Sequence, residues 1–166
     1  MLIEKTGLID YPPFIHECAV YIGKLRDLYN YDMNEEAERF KRGDRSEYVN
    51  ILGVKGELIY SYYLQSKGIK HDTAKLLSNR PVSSWDIKIK GINKKIDVKT
   101  IRTDAPDLLV NKEAHLKTKD IDTYVFVQII NDETARYWVY KYDDISNWNI
   151  KNVKYTDAYY LNIENI

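Results

Sequence analysis

The stretch IDTYVFVQII, residues 121 to 130, limits the fold most. It is rich in β-branched and aromatic residues, which favour a pleated, packed surface. A run this apolar reads as a strand in the middle of a sheet. NDET follows as a turn and ARYWVYKY as another strand, so the pair predicts a hairpin. Further along, DDISNW predicts one helical turn and YTDAYYLNI a last strand.

The first part of the chain reads differently. Residues 14 to 29, FIHECAVYIGKLRDLY, predict a helix, and residues 33 to 41 a shorter one. The strongest helix signal is GDRSEYVNILGVKGELIYSYYLQSKG. Asp44 or Ser46 can cap its start, and Gly68 stands where a glycine ends helices. Ile51, Val54, Leu58 and Tyr62 recur at helical spacing, with Tyr48, Leu52, Ile59 and Tyr63 beside them. GIKHDTAKLL reads as a strand and NRPVSS as a loop. LLVNKEAHLKTKD fits a loop or a short helix. The order predicts an α/β (α+β) domain with a single mixed sheet flanked by helices. Residues 1–44 read as a helical extension and residues 45–130 as the core.

A length of 166 residues suits one domain. No apolar run approaches the ~20 residues that span a bilayer, and MLIEKTGLIDYPP lacks a signal-peptide pattern. Cys18 is the one cysteine, which excludes an internal disulfide and gives a cytoplasmic expectation. His16, His71 and His115 stand apart, so zinc-ligand spacing is absent. His115 lies among lysines and reads as a surface residue. Glycine-rich phosphate loops, a Ser/His/Asp order and HExxH are also absent.

The chemistry concentrates in SWDIKIKGINKKIDVKT, residues 84 to 100. Trp85, Ile87 and Ile89 alternate with Asp86, Lys88 and Lys90. Beyond a glycine turn, Ile96 and Val98 alternate with Lys95, Asp97 and Lys99. A two-residue turn at Gly91-Ile92 would set Asp86 opposite Asp97, whereas a four-residue loop would set it opposite Lys99. Either register keeps Asp86, Asp97 and Lys99 on one face; a bulge would disturb this. Two carboxylates so close repel and need a cation. Lys99 can serve, and so can a hard divalent ion such as magnesium. Glu57 is a third carboxylate or a solvated helix residue. Gly53 and Gly56 beside it predict close approach of the helix to a sheet. Net charge is zero, but residues 85 to 119 carry nine basic against five acidic groups.

Glu57 in a helix, Asp86 on one strand and Asp97-Val98-Lys99 on the next resemble the PD-(D/E)xK nuclease superfamily. The resemblance covers roughly residues 45 to 130. Trp85 replaces the motif's proline, and no Q-x-x-x-Y follows the lysine. It implies a restriction-endonuclease-like core and hydrolysis of DNA phosphodiesters with Mg²⁺, for which Mn²⁺ can substitute. Asp86 and Asp97 would be metal ligands, joined by the Val98 carbonyl and by Glu57 directly or through water. Lys99 would position and help deprotonate the attacking water. Lys88, Lys95, Arg102, Lys112 and Lys117, with Lys90, Lys94 and Lys119 nearby, would hold DNA phosphates. Cutting both strands would suit a homodimer. The rival readings are a catalytically silent nucleic-acid-binding or assembly protein on the same scaffold, and a small interaction protein.

Overall fold

The computed structural model describes residues 4–32, 46–74, 85–118 and 120–166. The expected helix at 33–41, the Asp44 cap, the NRPVSS loop and Lys119 lie outside the described residues.

Strand β1 (Thr6–Asp10) leads through Pro12-Pro13 into helix α1 (Phe14–Asp32). The carbonyls of those prolines accept from Ile15 and His16, which closes the first turn. Proline suits that place because the first helical N–H groups have no partner within the helix. Helix α2 (Ser46–Ser66) ends as its sequence predicts. Gly68 takes φ +71°, the Ile69 N–H reaches the Leu64 carbonyl at 2.9 Å, and the Gly68 N–H reaches Gln65 at 2.9 Å. This double closure needs the left-handed conformation that glycine adopts at little cost.

After β2 (His71–Thr73) come β3 (Ile87–Ile89) and β4 (Lys94–Ile101). Next are β5 (Asp107–Asn111) and the short helix α3 (Lys112–Lys117), capped by the Asn111 side chain on the Ala114 N–H. Then follow β6 (Thr123–Ile129), β7 (Thr134–Lys141), α4 (Tyr142–Ile145), β8 (Asn149–Val153) and β9 (Thr156–Asn162).

The main sheet has six strands in the order β1-β7-β6-β4-β3-β2. β6 is interior, as its composition predicts, and pairs parallel with β4 and antiparallel with β7. The expected single sheet is corrected: β5, β9 and β8 form a second sheet of three strands. The residues 1–44 also give more than a helix, since β1 pairs with β7.

The period-two alternation of the main sheet feeds two cores. Ile87, Ile96, Val98, Val125, Val127 and Tyr137 pack under α1 and α2 against Ile15, Ile59, Tyr60 and Leu64. Ile101, Tyr124, Phe126 and Trp138 pack on the other face against Leu108, Val110, Ile145 and Tyr159. The phase of α2 differs in part from expectation. Tyr48 and Tyr62 are exposed, while Val54, Ile59, Tyr60, Tyr63 and Leu64 are buried. Among the described residues no helix is long and apolar enough to cross a membrane.

A Cβ on Gly23 would lie 2.6 Å from Ile51 Cα, so α1 and α2 cross there in backbone contact. A Cβ on Gly56 would lie 1.9 Å from Thr100 Oγ1, so α2 rests directly on β4. Gly53 has open space where a Cβ would stand, though its carbonyl accepts from the Thr100 hydroxyl at 3.4 Å, so the approach that demands glycine is at Gly56. Glu57, next in sequence, is thereby carried to the sheet.

Candidate metal and phosphate site

The β3–β4 register follows the turn at Gly91-Ile92: Ile87 faces Ile96, Lys88 faces Lys95 and Ile89 faces Lys94. At the far end the ladder slips. The Asp86 N–H donates to the Ile96 carbonyl at 2.8 Å, so Asp86 and Ile87 both address Ile96. Two residues against one is the pattern of a β-bulge. The bulge turns the Asp86 side chain along β4, where Oδ2 accepts the Val98 N–H at 2.7 Å. The carboxylate stands where the carbonyl of a longer β3 would stand.

Lys95, Asp97 and Lys99 share the face of β4 opposite Ile96 and Val98, as period two requires. Lys99 Nζ lies 2.7 Å from Asp97 Oδ1 and 3.0 Å from Oδ2. The well-directed hydrogen bond goes to Oδ2. Asp97 Oδ1 is buried and accepts no hydrogen bond of its own. Its neighbour is the Lys99 ammonium, so the contact is an ion pair rather than a well-directed hydrogen bond.

Burial pushes the Asp86 carboxyl up to about 7, with Glu57 and then Asp97 adding to the rise. The Val98 N–H and Lys99 oppose it. Burial works to lower the Lys99 ammonium, but Asp97, Asp86 and Glu57 together outweigh it and hold the group above its ordinary value. Glu57, Asp97 and Lys99 thus all lie within electrostatic reach of Asp86.

Arg26 is a fifth member that sequence reading missed. Its guanidinium forks onto Glu57, Nη1 to Oε1 at 2.9 Å and Nη2 to Oε2 at 3.0 Å. Burial works against the Arg26 charge, and Glu57 and Asp86 more than restore it. A signal existed: Arg26 and Asp27 adjoin the inward series Ile15, Ala19 and Gly23 of α1. An ionisable group on a buried stripe demands a partner. Asp27 finds Asn50, whose amide donates to Oδ1 at 3.1 Å.

The residues expected to hold phosphates are less free than their count suggests. Lys95 is bonded to Asp120, Lys117 lies 2.5 Å from Glu113, and Arg102 lies 3.5 Å from Asp104. Lys88 and Lys112 make no ion pair among the described residues. Lys88 and Lys95 line a cavity of about 350 Å³ with Asn93, Asp120 and Asp122. His115 is a correction. It is buried, stacks on Tyr142 with ring centres 4.1 Å apart, and lies 3.1 Å from the Tyr124 hydroxyl. Burial lowers its pKa, and it serves the second core.

At most two carboxylates, Asp86 and Asp97, are left for a hard cation. Among the described residues no three His, Cys, Asp or Glu side chains are placed to hold one ion. Both Glu57 oxygens are engaged by Arg26. Asp86 and Asp97 remain, and Lys99 would have to yield an Asp97 oxygen to an ion bound there. Magnesium commonly takes one or two carboxylates and completes its shell with water and phosphate. No protein-family model and no curated protein matches this chain.

Proposed function

We propose that the protein is a metal-dependent nuclease that hydrolyses phosphodiester bonds in DNA. The observation that carries this reading is the meeting of Asp86, Asp97 and Lys99 beside β4, with the Lys99 ammonium 2.7 Å from Asp97 Oδ1. The order of elements supports it. A helix bearing Glu57, three antiparallel strands, a crossover and a parallel strand follow one another as in a restriction-endonuclease-like core.

Asp86 and Asp97 would hold Mg²⁺ or Mn²⁺, with the Val98 carbonyl as a further oxygen and Glu57 acting through water. The bound ion would polarise the phosphate and lower the pKa of a water. Lys99, kept as an ammonium by three carboxylates, donates to the attacking water and stabilises charge on the phosphate oxygens. Arg26 fixes the direction of Glu57. Lys88 and Lys112, which make no ion pair among the described residues, would neutralise DNA backbone most readily. Lys95, Arg102 and Lys117 would first have to leave their acidic partners.

Incubation with supercoiled and linear DNA in Mg²⁺, Mn²⁺ or EDTA tests this. Metal-dependent cutting by the wild type, lost in Asp97→Asn and in Lys99→Ala, is the expected result. Folded, metal-loaded protein that binds DNA but cuts neither DNA nor RNA would replace the nuclease with a binding scaffold.

A further inference from the structure

The outer face of α1 carries apolar side chains that the fold leaves open. Phe14, Tyr21 and Leu28 are 58%, 69% and 61% exposed, Cys18 is exposed and Leu25 is half-buried. Their spacing alternates four and three residues, the repeat of a helix that packs lengthwise against another helix. The inner face of the same helix is already used, with Ile15, Ala19, Gly23 and Asp27 buried. The outer stripe is therefore surplus to the fold, and exposed apolar surface of this kind marks a contact site.

The charges beside the stripe say which partner fits. Glu17 and Lys24 are both exposed, lie one heptad apart on one flank and make no ion pair among the described residues. When two such helices run antiparallel, the same flank of each helix meets. Glu17 then faces Lys24 of the partner subunit, and by symmetry the contact occurs twice. The same register sets Phe14 over Leu25 of the partner subunit and Cys18 beside Tyr21 of the partner subunit. A parallel pair would set neither charge against its opposite.

We propose that α1 is a self-complementary docking surface through which two copies of this chain associate antiparallel about a two-fold axis near Cys18 and Tyr21. Such an isologous contact is the commonest way for one chain to make a closed dimer. Overlap of about three helical turns buries less than the ~1,200 Å² of a standard interface, so the dimer is a weak one that forms in the micromolar range. The proposal does not rest on the nuclease reading. If both hold, two sites share one assembly, and the helix at the interface is the one whose Arg26 holds Glu57.

Sedimentation velocity on the full chain tests it between ~1 and ~500 µM, which brackets an interface of this size. The wild type should pass from monomer to dimer as concentration rises. Glu17→Lys should weaken the dimer roughly tenfold, and Glu17→Lys with Lys24→Glu should restore it to within about threefold. Tyr21→Glu should leave a monomer with an unchanged circular dichroism spectrum. A wild type that stays monomeric throughout overturns the proposal. A dimer indifferent to both Tyr21→Glu and Glu17→Lys also overturns it, and one weakened by Tyr21→Glu but not by Glu17→Lys overturns the antiparallel register.

Discussion

The two faces of β4 are built on opposite terms. Beneath the helices, Ile96 and Val98 are buried and Thr100 presses against Gly56, so nothing can be added there. On the other face the aromatic core stops at Ile101, Tyr124 and Phe126, and Lys99 beside them stays 41% exposed. One strand therefore carries a face that is closed by packing and a face that is left open with charge. The closed face fixes where the backbone lies. The open face holds carboxylates in an arrangement that costs stability, because their repulsion is only partly relieved. Charge tolerated at such cost, on so firmly placed a strand, is what led us to propose the metal site here.

Substitutions can separate the two faces. The largest effect is expected at the open face: Asp97→Asn or Lys99→Ala should slow DNA cutting at least roughly a hundredfold. A thermal melt of each variant should show the fold intact. Gly56→Ala should do the reverse. Its Cβ has no room beside Thr100, so urea unfolding should show a loss of about 1–3 kcal/mol. Thr100→Ala in the same chain should recover part of that loss.

Asp86 gives a pH signature. The folded chain holds its proton more tightly than the unfolded chain, because the carboxyl rises from an ordinary 3.8 to about 7 on folding. Its contribution to stability is therefore greatest at low pH and is lost as pH climbs through that window. Melting temperature measured in EDTA should fall over this range in the wild type and fall less in Asp86→Asn. Added Mg²⁺ should raise the wild-type value near neutral pH and leave Asp86→Asn nearly unmoved. The smallest effect is expected at Lys117, whose pair with Glu113 is exposed at both ends. Lys117→Ala should cost no more than about 0.5 kcal/mol by the same urea measurement.

What the sequence disclosed depended on how local each signal was. β6 announces itself because an apolar run has one suitable place in a sheet. The hairpin register follows from Gly91, whose φ of +89° serves the turn. The end of α2 follows from Gly68. β1 was hidden, because TGLID is short and its partner lies far along the chain. β5 was masked by the helix-forming residues behind it, so the second sheet was not foreseen. His115 departs from expectation because Lys117 beside it is exposed while its own ring turns under Tyr142. Asp97 and Lys99 share a face because β4 alternates. Asp86 joins them through a bulge that period-two alternation does not supply, so neither expected register sets it opposite Asp97 or Lys99. Arg26 could not be placed with them, since its fork with Glu57 joins two helices.

The pairing of β1 with β7 has a consequence for how the chain is made. Thr6 lies against Trp138, and Asp10 against Thr134. β1 leaves the ribosome well before β7 and must wait for the intervening chain before it has its partner. β5 waits likewise, since its neighbour β9 follows β6, β7 and β8 in the chain. Contacts this distant in sequence slow folding, because the intervening chain must be ordered before they form. The α1–α2 pair needs no such delay. During synthesis the two helices can meet first, and the sheet that carries the site assembles beneath them as the later strands emerge.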